Sequence, residues 1–478
     1  YEMQRSLVGS EMCIRDSVRT DEYGGSLENR MRIVREIIEG IHRACGRDFP
    51  ISVRINGCDY IPEGLQKADA VEIAKLLERY GVSCINVSSG GYENPAAFIE
   101  PCYFPEGWKK ENALAVKAAV QIPVIAVNVI KHPETAEALL REGVCDFAGV
   151  SRAQLADPDW VNKARGGHEA LLRKCIGCMS CNKEVVNHRG IRCAINPRLG
   201  RERDYNAAAL RRDGAGRCVP VIGGGPAGMQ AAIVLAERGF RPILFERRAY
   251  LGGSAVLASK APCKGLVAEY IETQKNQLAA LGVQVELNHA PTMAELRRLD
   301  PYGIFVAMGG QQIVPDIPGI DRENVFGIED VLLGRRAIEG REVAVIGGGH
   351  VGLEVAHFLC ANNKVTIVEM ADEIGASVYY ITKFKLLPML REAGVTFRTG
   401  QAIAAVDDGS IRLRDTHTGQ CTELKAEAVV LAMGSRPDLA ARAAFDRNFD
   451  HVVYAGDAVR GGTMLEANRD AFALAWEF

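Results

Sequence analysis

Four cysteines are bunched in one short stretch of the chain. Cys175, Cys178 and Cys181 follow one another with two residues between each, and Cys193 comes after eleven more intervening residues. Three thiolates at that spacing can wrap one face of a cubane iron–sulfur cluster, and a distant fourth closes the site. Zinc is the alternative metal, but its sites usually show two separated pairs rather than a run of three. The other ten of the 14 cysteines are scattered without pattern. A secreted disulfide framework would be denser in a shorter chain, so reduced thiols, one metal site and a cytoplasmic location are expected.

Two glycine loops carry a second chemistry. In VIGGGPAGMQAA, Gly223, Gly225 and Gly228 form G-x-G-x-x-G between an apolar strand and a helix, and Glu246 ends the next strand 18 residues after Gly228. In VAVIGGGHVGLEVA, Gly347, Gly349 and Gly352 repeat the pattern, and Glu369 ends the following strand 17 residues after Gly352. Such glycines permit a tight turn and let the backbone approach a pyrophosphate at a helix N-terminus, while the acid reaches the adenosine ribose. At the second loop, a carboxylate favours the ribose hydroxyls of NADH and repels the 2′-phosphate of NADPH, which would want an Arg. Two sites in one chain point to one flavin and one nicotinamide. No C-x-x-C follows the first loop, which disfavours a disulfide reductase.

Elements that would position these residues can be read from periodicity. From 18 to about 165, apolar strands at 50–55, 84–89, 123–127 and 146–151 alternate with helical patterns at 65–80, 111–120, 132–142 and 157–166, after a leading helix at 27–45. Short buried strands with helical crossovers imply parallel pairing, and four such units predict the C-terminal half of an eight-fold β/α barrel. Residues 166–216 form the cysteine segment and a linker. Two Rossmann-like units follow. The reading assigns 217–335 to the first, 336–427 to the second, and 428–478, with the strand AVVLAMG and the segment VVYAGDA, to a resumption of the first. The fold class is therefore α/β throughout.

Composition excludes other classes. Apolar residues make up 47% and charged residues 24%, with a net charge of -3, which argues for no nucleic-acid or membrane surface. No apolar run reaches the roughly 18 residues a membrane span needs. Residues 1–17 lack the charged start and apolar core of a signal peptide. They resemble translated adapter read-through, in which case the natural chain extends further toward its N-terminus; the alternative is an irregular natural loop.

The run Arg19-Thr20-Asp21-Glu22-Tyr23-Gly24-Gly25-Ser26, with Asn29-Arg30 after it, resembles the old yellow enzyme superfamily. The order of partial barrel, cysteine run, FAD domain and NAD domain is similar to its large multi-cofactor branch, which includes 2,4-dienoyl-CoA reductase, enoate reductases and trimethylamine dehydrogenase. The cysteine spacing looks closer to the amine dehydrogenase. The resemblance implies FMN at the barrel mouth. Arg54 would face the flavin pyrimidine, where its charge stabilises a reduced, anionic flavin; a plain salt-bridge role is the alternative. Asn128 and the pair Ser151-Arg152 would hold the FMN phosphate, though Val129 stands where the dienoyl-CoA reductase has an Arg. Tyr92, in SSGGYEN, replaces a catalytic His and is either a proton donor or a loop aromatic. Gly252, Gly253 and Lys264 match FAD-contacting positions, and Gly456-Asp457 resembles the pair that binds the flavin side chain. The implied activity passes electrons from NADH through FAD, a 4Fe-4S cluster and FMN to the activated C=C bond of a small enoate, enone or dienoyl thioester. The rivals are an amine dehydrogenase, a module feeding electrons to a partner, and a chain that holds FAD but binds FMN poorly for want of half a barrel.

Overall fold

A computed structural model describes residues 19–127 and 129–478. Asn128 and residues 1–18 lie outside the described residues, and with them the expectations placed there. The chain folds as two units, one up to Ala153 and one from Gln154.

In the first unit, a helix α1 (Arg32–Cys45) leads into strand β1 (Ser52–Asn56). Helix α2 (Lys67–Arg79) then connects to β2 (Cys84–Ser88), α3 (Lys110–Lys117) to β3 (Val124–Val127), and α4 (Pro133–Arg141) to β4 (Phe147–Gly149). A short helix α5 (Arg152–Ala156) begins directly after β4. All four strands are parallel and lie in chain order, as the alternation predicts. The leading helix is interrupted at Met31, whose buried side chain ends a first turn over Leu27–Arg30. One face of the sheet carries Ile55, Ile85, Val87, Val124 and Ala126 into a core shared with the helices. The opposite face carries Arg54 and its register partner Asn86, because residues paired across parallel strands project to the same side.

The second unit opens with a cysteine segment that contains α6 (Ser180–Val186). Strand β5 (Cys218–Ile222) follows, then α7 (Pro226–Glu237), β6 (Arg241–Phe245), α8 (Ser254–Lys260), β7 (Gln284–Glu286) and β8 (Ile304–Val306). After β9 (Gly310–Gln312) come β10 (Val325–Gly327), β11 (Glu342–Ile346), α9 (His350–Leu359), β12 (Lys364–Val368), α10 (Tyr380–Glu392) and β13 (Thr396–Arg398). An antiparallel meander of β14 (Gln401–Val406), β15 (Ser410–Asp415) and β16 (Cys421–Lys425) precedes β17 (Ala428–Leu431), β18 (Ser435–Pro437), β19 (Val452–Tyr454) and α11 (Met464–Glu477). Two five-stranded parallel sheets result, ordered β19-β8-β5-β6-β7 and β10-β17-β11-β12-β13.

One expectation is corrected. The strand at 428–434 does not resume the first nucleotide sheet: β17 lies in the second, between β10 and β11. Strand β10, at 325–327, joins it there although it falls in the stretch assigned to the first unit. Return to the first sheet happens only at β19, which pairs with β8. The crossings are made by β9 and β18, which pair antiparallel as a separate two-stranded ribbon. A fully buried apolar strand reads alike in either sheet, so hydrophobic pattern could not assign it.

Helix α11 closes the first nucleotide sheet by packing on α7 and carries a buried polar tie: Asn468 Nδ2 donates to the Ala194 carbonyl at 2.7 Å, next to Cys193. Replacing Asn468 by Leu leaves that buried carbonyl unpaired. The substitution is expected to lower stability by about 1–3 kcal/mol, read from the urea midpoint at unchanged slope.

Candidate functional site: two dinucleotide loops, a thiol segment and a cationic barrel face

The two glycine loops are built alike, atom for atom. Gly223 and Gly347 hold φ of 104° and 109°, which L side chains rarely adopt. A Cβ on Gly228 would stand 1.9 Å from the Gly223 carbonyl oxygen, and one on Gly352 would stand 1.8 Å from that of Gly347, so each loop closes onto its own helix. Gly225 and Gly349 differ from these. A Cβ there would meet nothing nearer than 3.9 Å, so the fold itself does not require glycine. What these positions keep open is space at the N-termini of α7 and α9, where a pyrophosphate can approach the backbone. The cradle therefore fits a dinucleotide in both places.

The acids sit where the spacing predicts. Glu246 Oε2 accepts from Gly224 N at 2.8 Å and Oε1 from Arg248 N at 2.9 Å. Glu369 Oε2 accepts from Gly348 N at 2.6 Å and Oε1 from Ala371 N at 2.9 Å. Each carboxylate is thus locked under its loop with lone pairs left for ribose hydroxyls. Met370, directly after Glu369, is exposed and brings no cation for a 2′-phosphate. Gly252 and Gly253 bend back over the first loop: Gly252 N donates to the Gly224 carbonyl at 2.8 Å, and a Cβ on Gly253 would lie 2.9 Å from Gly225 Cα. Gly375 N repeats that bond to the Gly348 carbonyl at 2.9 Å, a correspondence the sequence reading missed.

Lys264 joins the two nucleotide parts of this unit. Its ammonium pairs with Glu354 on α9, which also takes a 2.7 Å contact from His350 Nε2. Burial alone would raise the Glu354 carboxyl, but Lys264 and His350 outweigh it and bring it from the ordinary 4.5 to about 2. Asp457 follows Gly456, whose φ is 62°. Its Oδ1 accepts from Gly462 N at 3.1 Å, and burial raises its carboxyl despite that bond.

In the thiol segment, none of the four cysteines is disulfide-bonded. Gly177 and the buried Met179 both adopt left-handed backbone, φ 65° and 64°, which curls the chain between Cys175 and Cys181. Burial, joined by Cys178 and Cys175, pushes the Cys193 thiol well above its ordinary range. The donor set suits iron, whose charge would compensate buried thiolates. In this conformation, however, no three His, Cys, Asp or Glu side chains among the described residues gather at metal-ligand distance.

The barrel face holds Arg54, whose Nη2 donates to Ser88 Oγ at 2.9 Å. Asn86 Oδ1 on the same face is buried without a hydrogen-bond partner. A cation beside an orphaned acceptor fits a flavin pyrimidine, which offers an N–H and carries anionic oxygen when reduced. Ser151 is exposed just before α5, while the Arg152 guanidinium is gripped by Glu100. Tyr92 is 73% exposed, and its ring leans on Phe98 at 5.6 Å. Its hydroxyl makes no hydrogen bond among the described residues. Tyr60, passed over in the sequence, is better held: it is half-buried after β1 with φ 57°, and its hydroxyl accepts from Asn112 Nδ2 at 2.9 Å. Its positive φ left no mark in the sequence, since Tyr there is not the residue expected to adopt it.

A parallel β/α sheet with a cationic face, a thiol segment and paired dinucleotide loops defines a multi-domain flavin- and nicotinamide-dependent oxidoreductase. Comparison with known proteins agrees. The NADH:flavin oxidoreductase / NADH oxidase family pattern matches residues 14–170, and the pyridine nucleotide-disulphide oxidoreductase pattern matches 218–450. An NADH oxidase of Thermoanaerobacter brockii is 36% identical over 98% of this chain and 73% of its own length. A cinnamate reductase of Clostridium sporogenes is 30% identical over 96% of this chain and 70% of its own. The solved structure of a 2-naphthoyl-CoA reductase complex superposes with a TM-score of 0.91 at 29% identity, over 97% of this chain and 70% of that one. The chain belongs to the NADH:flavin oxidoreductase / NADH oxidase family, in its old yellow enzyme-like multi-cofactor branch. It is an oxidoreductase of the kind that binds FMN, FAD and NAD(H). Among the described residues no helix is long and apolar enough to cross a membrane.

Two outcomes follow from this geometry. Gly352→Ala drives a methyl into the Gly347 carbonyl and is expected to abolish reduction by NADH while the FAD content stays at the wild-type level, both read from the flavin spectrum. The Glu354 carboxyl is depressed in the folded state, so its contribution is present above pH 4.5 and is lost as the pH falls toward 2. The stability difference between wild type and Glu354→Gln should therefore shrink across that window in chemical denaturation at fixed ionic strength.

Proposed function

We propose that this chain takes electrons from NADH on the Gly347 loop to FAD on the Gly223 loop, then through a 4Fe-4S cluster on Cys175, Cys178, Cys181 and Cys193 to FMN on the Arg54 face, and reduces an activated C=C bond of a small molecule. When bound, the flavins exchange two electrons and the cluster one, which is why a chain of both suits hydride entry and alkene reduction. The protein's share is position and charge. The observation that carries the reading is the duplicated carboxylate-to-loop arrangement, because it supplies one site for a flavin dinucleotide and another for a nicotinamide dinucleotide. Glu369, locked by Gly348 N and Ala371 N, selects the unphosphorylated ribose. Lys264 and Glu354 tie the FAD part to the NAD helix. Asp457 offers a half-buried acceptor to the flavin side chain. Arg54 offers a positive charge where a reduced flavin would become negative. The resemblance to proteins called cinnamate reductase and 2-naphthoyl-CoA reductase supports a conjugated carboxylate or thioester as substrate class.

The deciding experiment mixes anaerobic, reconstituted protein with NADH in a stopped-flow spectrometer after counting FAD, FMN, iron and sulfide. Rapid flavin bleaching is expected, with NADPH slower by on the order of tenfold or more, since a carboxylate facing a phosphate costs over 1.4 kcal/mol. Failure of NADH to bleach the flavin would overturn the reading in favour of an amine dehydrogenase. Cys193→Ser is expected to lose iron while keeping FAD; iron retained at wild-type content would remove Cys193 from the ligand set.

A further inference from the structure

Tyr60 holds a backbone conformation for which its residue type gives no reason. Its φ is 57°, in the left-handed region that a bulky aromatic residue seldom enters. Such a conformation persists only where the surroundings fix it, and it tends to mark a functional position. Here they fix it at both ends of the residue. Asn94 Nδ2 donates to the Tyr60 carbonyl at 3.1 Å, the ring lies against Trp108 with centroids 4.9 Å apart, and Asn112 Nδ2 donates to the hydroxyl oxygen at 2.9 Å.

These contacts place the hydroxyl beside the Arg54 face. Asn112 Nδ2 also donates to Ser89 Oγ at 2.9 Å, and Ser88, the residue before it, accepts from Arg54 Nη2 at 2.9 Å. Arg54 and Tyr60 are therefore anchored on consecutive residues where β2 ends. That is the C-terminal end of the parallel sheet, where β/α folds keep their chemistry. Asn56, on the same face as Arg54, ties the two loops at that end: its Nδ2 donates to Asp59 Oδ1 at 2.9 Å and to the Gly90 carbonyl at 2.8 Å.

The hydroxyl is placed to give a proton away. Its oxygen accepts from Asn112, and its own hydrogen goes to no acceptor among the described residues. Burial raises the hydroxyl above its ordinary value, although Asn112, and more weakly Ser89, favour the phenolate. The group is thus protonated at neutral pH, and the amide that holds it still holds the oxygen once the proton has left. Tyr60 is only half-buried, which leaves part of the side chain open to a substrate.

We propose that Tyr60 is a catalytic residue of the first unit, the general acid that protonates the α-carbon of the alkene. The inference rests on the alkene-reduction reading and deepens it. It assigns the proton to a residue that no motif marks, in place of Tyr92. Hydride arriving at the β-carbon leaves an electron pair on the α-carbon. The Tyr60 O–H bond breaks, its proton bonds to that carbon, and the phenolate takes a proton from water.

The test uses the full chain loaded with its cofactors, and two alkenes. Cinnamate gives a poorly stabilised carbanion and needs the acid. With β-nitrostyrene the nitro group holds the electron pair as a nitronate, which can leave the protein and be protonated by water. Y60F removes the hydroxyl and keeps the ring against Trp108; Y92F is made beside it. Flavin is reduced by NADH without air, and its reoxidation by each alkene is followed in a stopped-flow spectrometer, with nitronate read from its ultraviolet absorbance. Y60F is expected to slow cinnamate reduction by roughly 100-fold or more. With β-nitrostyrene it is expected to reoxidise at the wild-type rate and to release nitronate where wild type releases nitroalkane. Y92F is expected to match wild type with both alkenes. Cinnamate reduction at the wild-type rate in Y60F would overturn the inference, as would an equal loss with both alkenes, which marks a fault in binding or folding rather than in proton delivery. The same split seen in Y92F in place of Y60F would return the proton to Tyr92 and overturn it as well. Wild-type protein whose reduced flavin neither alkene reoxidises would overturn the alkene reading, and this inference with it.

Discussion

Both nucleotide parts depend on one hydrogen bond each: a carboxylate at the end of the second strand accepts the N–H of the middle glycine in the loop after the first. Glu246 does this for Gly224, and Glu369 for Gly348. The bond ties two strand ends together and fixes a carboxylate beside the loop that a pyrophosphate would approach. That is tolerable because each carboxylate is satisfied by two backbone donors. The glycines remove the Cβ atoms that would keep the loop from closing, and buried strands on both sides hold the two ends in register.

Much of this was legible in the chain because it is local. G-x-G-x-x-G and an acid at fixed distance describe contacts within one strand–helix–strand unit, and so do the four alternations of the first unit. Strand β17 was misassigned because its neighbours are set by a crossing, and Ala-Val-Val-Leu carries no record of which sheet it enters. Lys264 was legible as a residue near FAD, but not as the partner of Glu354, 90 positions away. Tyr92 drew attention through a matched position and proves exposed, whereas Tyr60 depends on Asn112, a partner on a helix that pattern alone could not aim. Glu100 and Lys109, a buried ion pair in the first unit with 2.7 Å between Oε1 and Nζ, are the extreme case: their burial is a property of three-dimensional packing, and composition gives no sign of it.

The two units handle charge differently. In the second, Glu246 and Glu369 are answered by backbone N–H groups, and Glu354 by Lys264 and His350. In the first, Arg54 lies on the same sheet face as Asn86, whose Oδ1 is buried with no hydrogen-bond partner among the described residues. Incomplete satisfaction of buried polar groups is uncommon in native folds and tends to mark the place where something else binds.

The ribbon of β9 and β18 has a mechanical meaning. The chain passes between its two nucleotide sheets twice, and both passages lie side by side, paired from Gly310 to Gln312 and from Ser435 to Pro437 and preceded by Gly309 and Gly434 at positive φ. A single tether would let the two parts part company; two adjacent ones, flanked by the most permissive residue, allow torsion about their common line and resist stretching along it. The ribbon thus limits the reach between the two dinucleotide cradles, together with the side-chain ties Lys264–Glu354 and Arg248–Glu329.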